Sequence, residues 1–180
     1  FDSDNTWYYN NRASLYDDLG KTDLALKDYA KILSLDSTNA MALNNRALLF
    51  QFAQEDYSKA IEEYTKAIEI EEEALYYRNR AECHFALEDW DQAERDYTEA
   101  IILDKKDPIS YQYRAKFYTN QRKYSKAHKD LEKALKLDPN DWQIDYDIAE
   151  TFIKEDKWNK SITHYTNAIN LTKDSSTLAN

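Results

Sequence analysis

Small residues recur along the chain at a fixed step. Ala13, Ala47, Ala81, Ala115 and Ala149 stand 34 residues apart, and three residues beyond each comes a ring: Tyr16, Phe50, His84, Tyr118 and Phe152. That offset places both side chains on one face of an α-helix. A second set follows the first. Ala25, Ala60, Ala93, Ala127 and Ser161 open it, Tyr29, Tyr64, Tyr97, Leu131 and Tyr165 come four residues later, and Ile32, Ala67, Ala100, Ala134 and Ala168 three after that. Small residues facing large ones at constant offsets are what two closely packed helices require. The pattern predicts five units of helix, short turn, helix.

Aligned on the anchor alanines, the units span 6–39, 40–73, 74–107, 108–141 and 142–175. Residues 1–5 stand in register with Leu35–Asn39 and Leu137–Asp141, which close units, so they read as the tail of a preceding repeat. Residues 176–180 read as the start of a further repeat or a disordered end. The expectation is a segment of a longer array. Turn chemistry agrees with the units: Asp107-Pro108 is a cap before a proline at a first helical position, and Asp138-Pro139-Asn140 breaks a helix. Tyr57, Trp90, Tyr124 and Trp158 follow the intra-unit turns and are expected to plug the closed end of each hairpin. Two irregularities stand out. Unit 2 has one residue too many near Gln54 and one too few before Ala74, and Asp145 stands where the other units have Tyr9, Leu43, Tyr77 and Tyr111.

One glycine and two prolines in 180 residues, with 42% hydrophobic and 14% aromatic residues, leave too little loop punctuation for a sandwich or barrel and indicate an all-α protein. The runs Leu131–Pro139 and Tyr64–Ile68, set in this 34-residue frame, resemble the second helix of the tetratricopeptide repeat family, and the likeness extends over essentially the whole chain. That family's turn glycine survives here only as Gly20. The resemblance implies a right-handed superhelical solenoid of antiparallel helix pairs. It also implies a non-catalytic protein-protein interaction scaffold that takes an extended peptide or protein segment in a concave groove lined by first helices. The alternative is a regulatory or substrate-recruiting arm of a larger multidomain enzyme.

Arginine precedes four of the anchors, as Arg12, Arg46, Arg80 and Arg114. These form either a cationic comb for an acidic partner or one half of a set of internal ion pairs. The second helices carry acids at a matching position, Asp28, Glu63, Asp96 and Asp130, and in unit 5, where the arginine becomes Ile148, the acid becomes His164. The joint loss favours the pairs Arg12–Asp28, Arg46–Glu63, Arg80–Asp96 and Arg114–Asp130, each within one unit. Arginine suits such a site because its planar fork grips a carboxylate with two bonds.

One residue before the arginines lies a second row: Asn11, Asn45 and Asn79, then Tyr113 and Asp147. An amide row offers donors and acceptors to a peptide backbone regardless of its sequence, and the resemblance implies that use, because some peptide-binding members carry such a row. The same amides also suit tying adjacent first helices together, and repetition alone does not separate the two. With Asn10, Asn44, Arg78 and Gln112 beside them, Asn11, Asn45, Asn79 and Tyr113 are the candidate groove residues. Trp7, Met41, Leu75 and Ile109, three positions earlier than these neighbours, supply apolar anchors, and Phe52 and Phe85 a floor. Some chaperone-binding members hold a C-terminal carboxylate with Lys, Asn and Arg. Here the corresponding positions read Asn10, Ser14, Asn45, Leu75 and Asn79, so that clamp is not expected.

The net charge of -10 disfavours a nucleic-acid partner, which needs a basic stripe. Repeats 2 and 3 are acidic and repeat 4 basic, which reads first as a solvated outer face. No apolar run is long enough for membrane insertion. A lone Cys83 forms no intrachain disulfide and favours the cytoplasm only by that absence. His84, His128 and His164 share no metal-ligand spacing, and one glycine cannot build a phosphate loop, so no cofactor, metal or catalytic residue is expected. Self-association through exposed end faces is a further expectation.

Overall fold

The computed structural model describes residues 5–177. Among the described residues, ten α-helices form five hairpins: α1 Thr6–Asp18 with α2 Thr22–Leu35, α3 Ala40–Leu48 with α4 Tyr57–Ile70, α5 Ala74–Ala86 with α6 Trp90–Leu103, α7 Pro108–Asn120 with α8 Tyr124–Leu137, and α9 Trp142–Lys154 with α10 Trp158–Thr177. The chain divides between Leu103 and Asp104 into two compact units. The first holds three hairpins and the second holds two.

Inside each hairpin the small positions let the helices touch. Ala13, Ala47, Ala81, Ala115 and Ala149 and their partners Ala25, Ala60, Ala93, Ala127 and Ser161 are all buried, as are the fillers Tyr29, Tyr64, Tyr97 and Leu131. In the first unit, Ala47, Ala60, Tyr64 and Cys83 form one such core, which joins the second hairpin to the third. Burial pushes the Cys83 thiol up to about 12, so it stays protonated and behaves as a small apolar group.

The loops between hairpins are capped by short polar side chains. Asn39, Asp107 and Asp141 accept backbone N–H bonds from the first turns of α3, α7 and α9, satisfying donors that a helix start leaves open. The loop Glu71–Glu73 is one residue shorter, and Glu73 makes no such side-chain bond. The extra residue of the second hairpin is taken up earlier. α3 runs into a π-helical turn, Leu49–Ala53, where Gln54 N donates to Leu49 O at 3.2 Å. One wide turn absorbs the insertion and leaves both flanking helices in register.

Every intra-hairpin turn places one residue in the left-handed region: Gly20, Glu55, Glu88, Arg122 and Asp156. The next N–H closes the turn, as in Lys21 N to Tyr16 O at 2.7 Å and Asp89 N to His84 O at 2.9 Å. This is the bond a left-handed helix end requires. Only the first turn meets the requirement with glycine.

Trp158 is 56% exposed, so it plugs nothing, whereas Trp90 packs edge-on against Phe85 at 5.4 Å and Tyr124 donates its hydroxyl to Lys154 O at 2.7 Å. α10 continues through Ser176 to Thr177, because the stretch after Leu171 holds neither glycine nor proline to stop it; residues 178–180 lie outside the described residues. So do Phe1–Asp4, most of the expected tail of a preceding repeat.

Candidate functional site

The arginines of the first four hairpins each pair with an acid on the second helix of the same hairpin. Arg12 holds Asp28 with two bonds of 2.7 Å, Arg80 holds Asp96 at 2.7 and 2.8 Å, and Arg114 holds Asp130 at 2.8 and 2.9 Å. Arg46 approaches a single oxygen of Glu63, with its Nε at 2.9 Å, because the longer side chain turns its other oxygen to Lys66 at 2.8 Å. Arg80 adds a bond to Thr65 of the preceding hairpin at 3.0 Å. Burial opposes the charge on Arg80 and Arg114, and the bonds to Asp96 and Asp130 outweigh it and hold both above the ordinary arginine value. Arg12, Arg46, Arg80 and Arg114 are thus each engaged by a carboxylate of their own hairpin.

A third group completes these struts. Arg12 lies over the Tyr9 ring and Arg80 over the Tyr77 ring, both at 5.4 Å, a cation–π contact. In the fifth hairpin all three positions change together. Asp145 replaces the tyrosine, Ile148 the arginine and His164 the acid, and His164 Nδ1 pairs with Asp145 Oδ1 at 2.7 Å. The two helices remain bonded, with the carboxylate now on the first helix. Sequence reasoning noted Asp145 as an isolated departure; the coincidence of three changes in one repeat was the signal that joins them.

The asparagine row has a different geometry from an open comb. Asn45 Nδ2 donates to Asn10 Oδ1 at 3.4 Å, Asn79 Nδ2 to Asn44 Oδ1 at 3.0 Å, and Asn44 Nδ2 to Asn45 Oδ1 at 3.1 Å. The first two bonds tie α1 to α3 and α3 to α5, and the third joins them within α3. Asn44 is buried, Asn10, Asn45, Arg78 and Asn79 are half-buried, and Asn11 is exposed. In the second unit Gln112 is buried and gives its amide to Asp141 at 3.3 Å, while Tyr113 is half-buried.

Beside the ladder, the apolar positions stand open. Trp7, Met41 and Leu75 are 64%, 61% and 42% exposed at the same register of α1, α3 and α5. Trp7 and Met41 flank a cleft of about 200 Å³ over Asn10 and Asn39. Phe52 is 73% exposed and Phe85 is half-buried. In the second unit a cleft of about 350 Å³ opens between α7 and α9, lined among others by Lys116, Thr119, Tyr146, Asp147, Glu150 and Lys154.

Among the described residues no group of three His, Cys, Asp or Glu side chains is placed to hold a metal ion. No helix among them is long and apolar enough to cross a membrane.

Models of the tetratricopeptide repeat match residues 8–39, 42–73, 74–107 and 108–141. No curated protein matches the chain in sequence. Among solved structures, MamA from Desulfovibrio magneticus is similar at 14% identity with a TM-score of 0.75, over 94% of this chain and 96% of that one. YrrB, described as a TPR protein with an unusual peptide-binding site, shares 21% identity at a TM-score of 0.66, over 96% and 89%. Yeast Tom70 shares 24% identity at 0.78, over 95% of this chain and 37% of its own. These likenesses establish an all-helical fold of the TPR solenoid kind. Together with the four repeat matches and the hairpin register, they make the chain a member of the tetratricopeptide repeat family, whose repeats serve as protein-interaction scaffolds.

Proposed function

We propose that the chain binds an extended peptide or protein segment along the surface of its first helices and does so without catalysis. The observation that carries this reading is the row Trp7, Met41 and Leu75. Three large apolar side chains stay open at one register within a single compact unit, and exposed apolar surface of this kind marks an interaction site. The amides beside it are engaged with one another. They hold α1, α3 and α5 at a fixed spacing, so the anchors, not the amides, carry the affinity, and Asn11 alone of its row is exposed. A groove of apolar anchors over a rigid polar ladder suits a strand-like peptide better than a small metabolite. The peptide-binding site named for YrrB, a structure of the same fold, supports the class of ligand.

The test is binding of a fluorescent peptide library, read by anisotropy, to the wild type and to a Trp7→Ser, Met41→Ser, Leu75→Ser variant whose helix content is checked by circular dichroism. The reading expects the variant to lose about tenfold or more in affinity for the best peptides. Equal binding by both proteins overturns it.

A further inference from the structure

We infer that the cleft between α7 and α9 of the second unit receives a basic side chain, lysine or arginine, of a peptide segment bound there, with Asp147 taking its charge. This rests on the peptide-binding reading above and gives the first helices of the second unit a contact of their own.

Asp147 is the rung of the amide ladder that is not made. In the first unit, the residue two before each anchor bonds to the residue 35 positions earlier, Asn45 to Asn10 and Asn79 to Asn44. The corresponding partner of Asp147 is Gln112, and the Gln112 amide is turned away to Asp141. Asp147 is left with one long contact, from Gln143 Nε2 at 3.4 Å. Its carboxylate therefore faces a cleft of about 350 Å³, within the range of pockets that hold ligands.

The walls suit a cation on a long aliphatic stem. Tyr146, 39% exposed, offers a ring one residue before Asp147, and Leu131 from α8 gives an apolar floor. Thr119 and Thr151 pair their hydroxyls across the cleft at 3.0 Å, so they close one wall without competing for charge. Glu150, one turn along α9, adds a second carboxylate and accepts the Tyr165 hydroxyl from α10.

The charged groups acting on Asp147 are Lys116 from α7 and Asp141 and Glu150 from the start and the body of α9, with Gln143 the polar neighbour. Burial is the strongest influence and pushes Asp147 up to about 6. At neutral pH the group is a poorly solvated anion, which an arriving ammonium or guanidinium relieves. Lys116 and Lys154 line the same cleft and are exposed. They favour an acidic residue beside the basic one, so the inferred ligand is a basic residue with an acidic flank.

The experiment titrates the full ¹⁵N-labelled chain with N-acetyl-lysine methylamide, its norleucine counterpart and its glutamate counterpart, followed by amide chemical shifts. The lysine probe is expected to shift Asp147, Glu150 and Thr151 and to bind about tenfold more tightly than norleucine. Asp147→Asn is expected to remove that preference while Glu132→Gln, at an exposed carboxylate of α8, leaves it intact. Affinity is expected to fall between about pH 7.5 and about pH 5, as the carboxylate takes up its proton. Equal binding of norleucine, preference for glutamate, or an unchanged preference in Asp147→Asn overturns the inference. Library peptides that bind without any requirement for a basic residue overturn it while leaving the proposed function standing. A lysine probe that binds when no peptide does overturns the peptide reading instead.

Discussion

At the scale of single residues, burial decides what one repeated motif is worth. The same Arg-to-acid strut is 55% exposed at Arg12 and 17% exposed at Arg80, while the acids Asp28 and Asp96 are equally buried. Arg80→Ala strands a buried carboxylate and should cost about 3 kcal/mol. Arg12→Ala leaves an acid that water reaches through the space the arginine vacates, and should cost about 1 kcal/mol or less. Chemical denaturation of both variants checks the order, and a cycle with Asp96→Ala should show non-additivity for Arg80. Asp147 carries the opposite sign. Its folded value, about 6, lies above the ordinary 3.8, so the folded state binds the proton more readily than the unfolded one. The carboxylate therefore destabilises the fold above about pH 6, and the penalty fades as the pH falls towards the ordinary value. Asp147→Asn should stabilise the protein by about 1–2 kcal/mol at neutral pH, with the gain shrinking towards zero near pH 4. Melting curves across that range read it directly. Of the candidate site, the arginine pairs were legible because two positions changed together in unit 5. The role of the asparagines was less legible, because an amide that grips a peptide and one that grips its neighbour have the same composition and the same spacing; the distances add the bonds between neighbouring helices.

At the scale of elements, the hairpin turns hold unused stability. Glu55, Glu88, Arg122 and Asp156 adopt the left-handed conformation with a side chain attached, at a cost of roughly 1 kcal/mol each. Glu88→Gly, Arg122→Gly and Asp156→Gly should each raise stability by about 0.5 kcal/mol after the added freedom of the unfolded chain is subtracted. Gly20→Ala should lower it by about 1 kcal/mol. Around Gly20 no atom lies within 4 Å of an added Cβ, so that loss reports backbone conformation and not crowding. Thermal denaturation of the four variants is the check. The helices themselves were readable because small and large residues alternate at helical spacing, a pattern that strands or loops would not keep. The remedy for the extra residue near Gln54 was not readable. A longer turn and a π-helical bulge both absorb one residue, and the choice follows from packing, since Leu49 and Gln51 are buried and the Tyr64 hydroxyl reaches Gln51 Oε1 at 2.8 Å. A longer turn would pull that glutamine out of reach. The long α10 was missed for a related reason: a polar stretch after Leu171 continues a helix as readily as it ends one.

At the scale of the molecule, stability is assembled from neighbouring hairpins rather than from one shared core. Within each compact unit, helices contact chiefly their hairpin partner and the adjacent hairpin, and the cores of the first unit are correspondingly small and local. In such a stack the free energy of opening is a property of each repeat and its two interfaces. The cores supply the gradient. Tyr64 and Tyr97, from α4 and α6, are fully buried, whereas α10 leaves Trp158, Ile162 and Ile169 exposed by 56%, 63% and 52%. Native-state hydrogen exchange should therefore find α10 opening at the lowest free energy and α4 to α6 at the highest. The local character has a sharper consequence for mutants. Arg80→Ala removes the strut between α5 and α6 and its bond to Thr65 on α4, so it should speed exchange in α4, α5 and α6 while leaving α9 and α10 unchanged within error. A single cooperative core would instead lower protection everywhere by the same amount. Uniform loss across all ten helices would show that the hairpins open together and that the repeat description of the energetics fails.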